Sequence, residues 1–216
     1  MTRLALIHAL AHSVAPINDA LARDWPQVMR MNLLDDSLSS DLAASGKGLD
    51  EAMHARFARL ARYAVACGSD AILFTCSAFG PCIEAVARTH APLPVLRPNE
   101  AMIAQAASLG CRIGLIASFA PTLRSMPAEF PAETQLEMEL VEDAMQALNA
   151  GDAARHDALV ISAAEKLVER GCAVIALAQF SMARARKLVA ERTGLPVLTT
   201  VDSAVIELRR RLGSAA

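Results

Sequence analysis

Aromatic side chains are scarce in this chain: one Trp, one Tyr and six Phe make up 4% of 216 residues. A core short of rings is built from aliphatic and alanine packing, which suits helices laid closely on a parallel sheet. Runs of five or six like charges are absent and the net charge is −2, which argues against nucleic acid or an anionic membrane as the main partner. The one basic cluster, Arg209 to Arg211, falls in a C-terminal helical turn, where positive charge complements the helix dipole. No apolar run approaches the roughly 18 residues a membrane span requires. MTRLALIHALAHSVAP at the N-terminus superficially resembles a secretory leader, but His8 and His12 interrupt it and LALI reads as a strand. Five cysteines (Cys67, Cys76, Cys82, Cys111, Cys172) form an odd set without CxxC spacing. That makes a disulfide framework or a zinc cluster a poor reading and a reducing cytoplasm the natural setting. P-loop, GxGxxG, GxSxG and HExxH patterns are also missing, which disfavours nucleotide binding and serine or zinc hydrolysis.

What is present is a large apolar fraction, 54%, enough for a sizeable core in one large domain or two lobes of about 100 residues. The chain also repeats itself. LPVL at Leu93 to Leu96 returns at Leu195 to Leu198, and GSDAILFTC, ending at Cys76, lines up with GCAVIALAQ, ending at Gln179, at an offset of 103. Ala101, Ile103, Leu109 and Gly110 line up with Ala204, Ile206, Leu212 and Gly213, and RLALIHA from Arg3 resembles RIGLIAS from Arg112. Two copies are too few for a solenoid, so a duplicated α/β lobe is the better account. Each copy reads as a strand (about 4–7 or 113–116), a helix and a second strand (about 28–33 or 136–140). A longer amphipathic helix follows, with Met53, Phe57, Leu60, Ala61 and Ala64, or Leu159, Ala163, Leu167 and Val168, on its apolar face. Gly68 and Gly171 stand where helix C-caps belong. The expected fold class is α/β: two pseudo-symmetric parallel-sheet lobes from an internal duplication.

Cys76 is the residue most in need of a role. AILF before it reads as a buried strand, and Pro81 with CIEAVAR after it as a helix with proline in its first turn. A cysteine at that junction faces the crevice where open α/β sheets bind ligands. The helix N-terminus favours its thiolate, so a lowered pKa is expected. The backbone N–H groups of Ser77, Ala78 and Phe79 are placed to hold a carboxylate or enolate oxygen, or simply to begin the helix. Cys67, Cys82, Cys111 and Cys172 read as buried structural thiols.

With the duplication and FTCSAFG quoted, the chain resembles the aspartate/glutamate racemase superfamily, which includes hydantoin and allantoin racemases, maleate isomerase and arylmalonate decarboxylase. The resemblance covers essentially the whole chain and implies two α/β lobes with the active site between them. It implies that lobe one spans 1–98 plus 200–216 and lobe two 99–199, the final helix of each repeat crossing over. It also implies chemistry with neither metal nor organic cofactor. One cysteine thiolate removes a proton from the carbon beside a carboxylate, and a second thiol returns one from the opposite face. Here the first is Cys76, but the second place holds Gln179, an amide that cannot act as a base near neutral pH. A single-cysteine decarboxylase or lyase is therefore an alternative to the racemase or isomerase reading. A two-lobed metabolite-binding protein without catalysis is another.

The remaining candidates carry rival structural readings. His8, at the end of the first strand, is placed to hold the thiolate, orient substrate or stand in as second proton carrier, against a hydrogen-bonded core histidine. Ser118 and Thr122 occupy the loop where the family places hydroxyls against the substrate carboxylate, against ordinary N-capping before Pro121. Gln179 is expected to bind substrate, and Ser181 is grouped with it. His12 and Ser13 rank lower; His54, His90 and His156 read as solvated surface; Arg97 and Arg184 read as ordinary exposed arginines. The expected partner is a small carboxylate or amino-acid-like substrate, without nucleic acid or membrane, and a homodimer is compatible with the low charge.

Overall fold

The computed structural model describes residues 1–213. The chain divides into two compact units, one made of Met1–Pro98 with the last helix from Val205 on, the other of Asn99–Ala204. Residues 214–216, the end of the segment assigned to lobe one by resemblance, lie outside the described residues.

In the first unit, lobe one, the strands are β1 (Arg3–His8), β2 (Met29–Leu34), β3 (Ala71–Phe74) and β4 (Val95–Leu96). They form one parallel sheet in the order β2-β1-β3-β4. Helices α1 (Val14–Asp24), α2 (Ser37–Ser45), α3 (Glu51–Ala66) and α4 (Gly80–His90) lie in the connections. In lobe two, α5 (Glu100–Ser108) leads into β5 (Ile113–Ala117), α6 (Ala120–Ser125) and β6 (Leu136–Leu140). Then come α7 (Glu142–Asn149), α8 (Ala153–Glu169), β7 (Val174–Leu177), α9 (Arg186–Thr193) and β8 (Val197–Thr199). The final α10 (Thr200–Gly213) contains the boundary between the units. The second sheet runs β6-β5-β7-β8, the same order as the first, and is parallel throughout.

The central strands explain their own position. β3, β5 and β7 are buried at every residue, as apolar strands covered on both faces must be. The edge strand β2, MRMNLL, is mostly exposed, and β6 is half exposed. Packing between helix and sheet is tight at Gly114 on β5. A Cβ there would sit 2.9 Å from Leu167 Cδ1, 3.0 Å from Leu167 Cβ and 3.1 Å from Ile175 Cδ1.

The duplication extends to individual side-chain bonds. Asp50 caps α3 by accepting from Met53 N at 2.9 Å, and Asp152 caps α8 by accepting from Arg155 N at 2.9 Å. Both helices end on a glycine with positive φ, Gly68 at +73° and Gly171 at +80°, where a side chain would be strained. At each of these ends the arginine that opens the lobe's first strand donates to a freed helix carbonyl: Arg3 Nη1 to Cys67 O, Arg112 Nη1 to Arg170 O. The apolar face of α3 buries Met53, Phe57, Ala61 and Ala64, with Leu60 only partly covered. On α8 the buried stripe holds Val160, Ala163, Ala164 and Leu167, while Val168, expected within it, lies at its margin with 36% exposure.

Candidate active site

Parallel strands leave their C-terminal ends open to the loops that follow, and the candidate residues collect there. Cys76 lies two residues beyond β3 in an extended conformation, followed by a short 3-10 turn, Ser77–Phe79, and only then by α4 with Pro81 in its first turn. That turn is pinned from below. Phe79 is fully buried with its ring centroid 4.9 Å from Phe57, which stacks in turn on Phe74 at 5.2 Å. Ser77 is buried and Ala78 partly so.

Cys76 as a residue is half-buried, with its sulfur 4.0 Å from Ser39 Oγ, whose proton goes to the Ala9 carbonyl at 3.0 Å. Burial pushes the thiol pKa up, and the Ala78 backbone N–H and the Ser39 hydroxyl draw it down by less. This corrects the expectation of a lowered pKa. Burial outweighs the donors at the helix start, so the resting sulfur is a thiol at neutral pH. The Cys82 thiol is likewise pushed up, to about 11, by burial, with Asp50 adding to the shift. Of the four cysteines read as structural, Cys82 and Cys172 are buried, whereas Cys67 and Cys111 are only half-buried.

His8 is wholly buried at the end of β1, with Nδ1 2.9 Å from Thr75 Oγ1 and Nε2 3.0 Å from Asn32 Oδ1. Its tautomer follows from a chain of bonds. Asn18 Nδ2 donates to the Val14 carbonyl at 2.8 Å, which fixes the Asn18 amide, and also donates to Asn32 Oδ1 at 2.8 Å. Asn32 Oδ1 is therefore an acceptor and His8 Nε2 carries the proton, leaving Nδ1 to accept from the Thr75 hydroxyl at 2.9 Å in preference to the Ile7 carbonyl, 3.4 Å from that hydroxyl. Burial lowers the His8 pKa, and the Asn32 bond offsets part of that shift. The imidazole is neutral with both nitrogens engaged inside lobe one, so contact with substrate would require breaking one of these bonds. It braces Thr75, the residue before Cys76.

In lobe two, Gln179 follows β7 at the position that matches Cys76, and a 3-10 segment, Phe180–Ala185, comes next. Its Oε1 accepts from both the backbone N–H and the hydroxyl of Ser118, the latter at 3.0 Å. Ser118 is thus engaged with Gln179 and does not cap α6, whose N-cap position is Phe119. Thr122 is fully buried on α6. Ser181 Oγ and Thr200 Oγ1, beyond the ends of β7 and β8, are buried without a hydrogen-bond partner among the described residues. Buried hydroxyls left unmet are exceptions that call for a polar partner.

Several residues outside the expected set complete the picture. Ser39, Asn18 and Asn32 had no signal of their own in the sequence. His156, expected at the surface, is fully buried on α8 with Nδ1 2.7 Å from Asp157 Oδ1. Asp157 also accepts from Arg184 Nε at 2.9 Å, tying the segment after Gln179 to α8. A partner on each side of Asp157 is the reason a histidine can lie under that helix. Arg97 is paired with Glu84 at 2.7 Å. Among the described residues no group of three or more His, Cys, Asp or Glu is placed to hold a metal ion, and no helix is long and apolar enough to cross a membrane.

The model of the Asp/Glu/Hydantoin racemase family matches residues 11–208. The chain belongs to that family. A search of the curated proteins finds no match to this racemase-family chain. Solved structures share its fold at low identity. A glutamate racemase isoform from Bacillus anthracis superposes with a TM-score of 0.78 at 13% identity, covering 100% of this chain and 83% of that one. An aspartate racemase from Picrophilus torridus gives 0.78 at 12% identity, covering 99% and 95%. An arylmalonate decarboxylase variant gives 0.68 at 17% identity, covering 99% and 94%. At such identities the likeness shows the fold. Within it, the racemase-family lobe one presents a buried thiol after its third strand and lobe two an amide.

Proposed function

We propose that this racemase-family protein is a cofactor-independent enzyme in which Cys76 transfers a proton at the carbon α to a carboxylate of a small amino acid or related acid. The observation that carries the reading is the state of Cys76: a thiol after a buried strand, held against the Ala78 N–H and the Ser39 hydroxyl. In the isomerase direction the Cys76 thiolate takes the α-proton, leaving an enolate stabilised by backbone donors; water protonates the opposite face, and the S–H gives its proton to solvent, since returning it to the same face would restore the starting acid. Ser77 and Ala78 in lobe one, and Ser118, Thr122, Gln179 and Ser181 in lobe two, are the proposed substrate-binding residues. Of these, Ser181 offers an unengaged hydroxyl. Gln179, its Oε1 occupied by Ser118, contributes amide N–H donors.

A second reading is favoured by one observation: the amide at position 179 can neither remove nor return a proton. A lyase needs only one proton carrier. When the bond between the α-carbon and a carboxylate breaks, carbon dioxide leaves and its electron pair stays on carbon. The Cys76 S–H then protonates that carbon, and solvent reprotonates the thiolate. A thiol kept protonated by burial suits this role.

The test is incubation in deuterated water with small amino acids and, separately, with substituted malonates. Exchange of the α-hydrogen accompanied by inversion at the α-carbon of the amino acids establishes the isomerase reading. Carbon dioxide release with one deuterium gained establishes the lyase. Tight binding of such acids with neither outcome leaves a metabolite-binding protein and removes the enzyme reading.

A further inference from the structure

Helix α2 is nine residues long, too short to persist alone, yet it carries the hydroxyl nearest the Cys76 sulfur. Its side chains sort onto three adjoining faces at 100° per residue. Leu38 and Leu42 face the core, Leu38 being 1% exposed. Ser37 and Asp41, one turn apart, face α3. Ser39 faces Cys76. On the α3 side a single guanidinium gathers the anchoring groups. Arg56 Nη2 lies 2.9 and 2.8 Å from the two Asp35 oxygens and 2.5 Å from Ser37 Oγ, while Nη1 donates to Asp41 Oδ2 at 2.5 Å. Ser37 Oγ completes the set by donating to Asp35 Oδ1 at 2.7 Å. Arg56 and Asp35 are about one-quarter exposed, and the arrangement is a network, not a lone surface pair.

We propose that Arg56 is a positioning residue: through Asp35, Ser37 and Asp41 it locks α2 so that the Ser39 hydroxyl stays within reach of the Cys76 sulfur. The inference rests on the reading that Cys76 is the proton-transfer group. Ser39 can serve both forms of that group. With the thiol, Cys76 S–H donates to Ser39 Oγ while the hydroxyl proton remains on the Ala9 carbonyl. When the sulfur gives up its proton, the hydroxyl turns from Ala9 and donates to the thiolate. A charge-assisted bond is thereby gained as the neutral one is lost. No bond is made or broken in the side chain itself. The hydroxyl must be close and oriented, which a frayed α2 would not maintain. The Ala78 N–H is the other donor to the sulfur.

The test is the pH dependence of Cys76 alkylation by iodoacetamide in the full chain, read by peptide mass so that the half-buried Cys67 and Cys111 do not interfere. Ser39→Ala is expected to move the midpoint up by about one pH unit, tenfold less thiolate at a given pH. Arg56→Ala is expected to reproduce at least half of that shift. The double variant is expected to shift no further than Ser39→Ala alone, and Arg56→Lys to lie between wild type and Arg56→Ala. Arg97→Ala, which breaks an unrelated pair, leaves the midpoint unchanged. An Arg56→Ala shift that is absent, or that adds fully to the Ser39→Ala shift, overturns the proposal. So does faster alkylation without a change in midpoint, which would make α2 a mere cover. The expected shifts in a chain with no turnover keep this inference and sink the proposed reaction. Turnover dependent on Cys76 without the shifts does the reverse.

Discussion

Ser118 holds Gln179 by the wrong end for proton transfer. Backbone N–H and hydroxyl both donate to Oε1, so the NH2 end is what Gln179 offers a ligand. Replacing that end with an acceptor isolates its contribution. Gln179→Glu keeps an oxygen for Ser118 and substitutes a charged acceptor for the donor. A hydrogen bond to a charged group contributes about 1.5–3 kcal/mol, so KM for a carboxylate substrate is expected to rise at least tenfold, with a thermal midpoint close to that of wild type. An unchanged KM would take Gln179 out of the binding set.

Cys76→Ser leaves a hydroxyl too weakly acidic to take the thiol's place. General acid–base groups contribute roughly 100- to 10,000-fold, and the variant is expected to lose at least the lower figure in kcat. Stability is expected to change by less than about 1 kcal/mol, because Cys76 is only half-buried and serine differs from it by a single atom of similar size. Denaturant titration beside steady-state rates checks both halves. Activity retained within tenfold would mean that another group carries the proton.

The sequence makes the lobes visible because continuous apolar strands and capping signals are local: AILF and VIAL, Gly68 and Gly171 each act within a few residues. It also marks Cys76 and Gln179, since the repeat aligns them. Ser39 is invisible by the same criterion. It reaches the sulfur only because β2 lies beside β1 and α2 folds back over Ala9, a relation of topology and not of spacing. The same holds for His8, whose neighbours are Asn32 on β2 and Thr75 just beyond β3, the two strands flanking β1. The sign of the Cys76 shift is not legible in the sequence, because a helix start can be read from Pro81 whereas the depth of burial cannot. The burial of His156 is equally hidden, because its partner Asp157 is itself held by Arg184, from a segment beyond β7.

His8 ties stability to pH in a defined direction. Its pKa in the fold is below the ordinary histidine value of 6.5, so below that value the unfolded chain binds the extra proton. The His8 contribution is complete above about pH 6.5 and declines as pH falls toward the folded pKa. The lowered carboxylates lose their contributions lower still. Glu207, held at about 2 chiefly by Arg210, acts below its ordinary value of 4.5. Denaturant midpoints of wild type and His8→Gln measured from pH 7.5 to 5 are expected to converge as pH falls, because only wild type pays for protonating His8. Parallel curves would show that the histidine is not buried as a neutral ring.

Gly114 predicts where the two lobes cannot be exchanged. Lobe one has Ala5 at the corresponding place on β1, fully buried, but in lobe two the closest neighbour is Leu167 on α8, and one of the crowding atoms is its Cβ. A Cβ cannot swing aside as a side-chain tip can, so Gly114→Ala must push α8 away from the sheet. Overpacking of this kind costs about 1–3 kcal/mol, and a denaturation midpoint lower by that amount is expected. Leu167→Ala alone opens a cavity and is destabilising, but it removes Cδ1, one of the two atoms of Leu167 that obstruct position 114. The double variant Gly114→Ala with Leu167→Ala should therefore be less destabilised than the sum of the two single changes. Strict additivity would mean that β5 and α8 already have the slack to accept a methyl group.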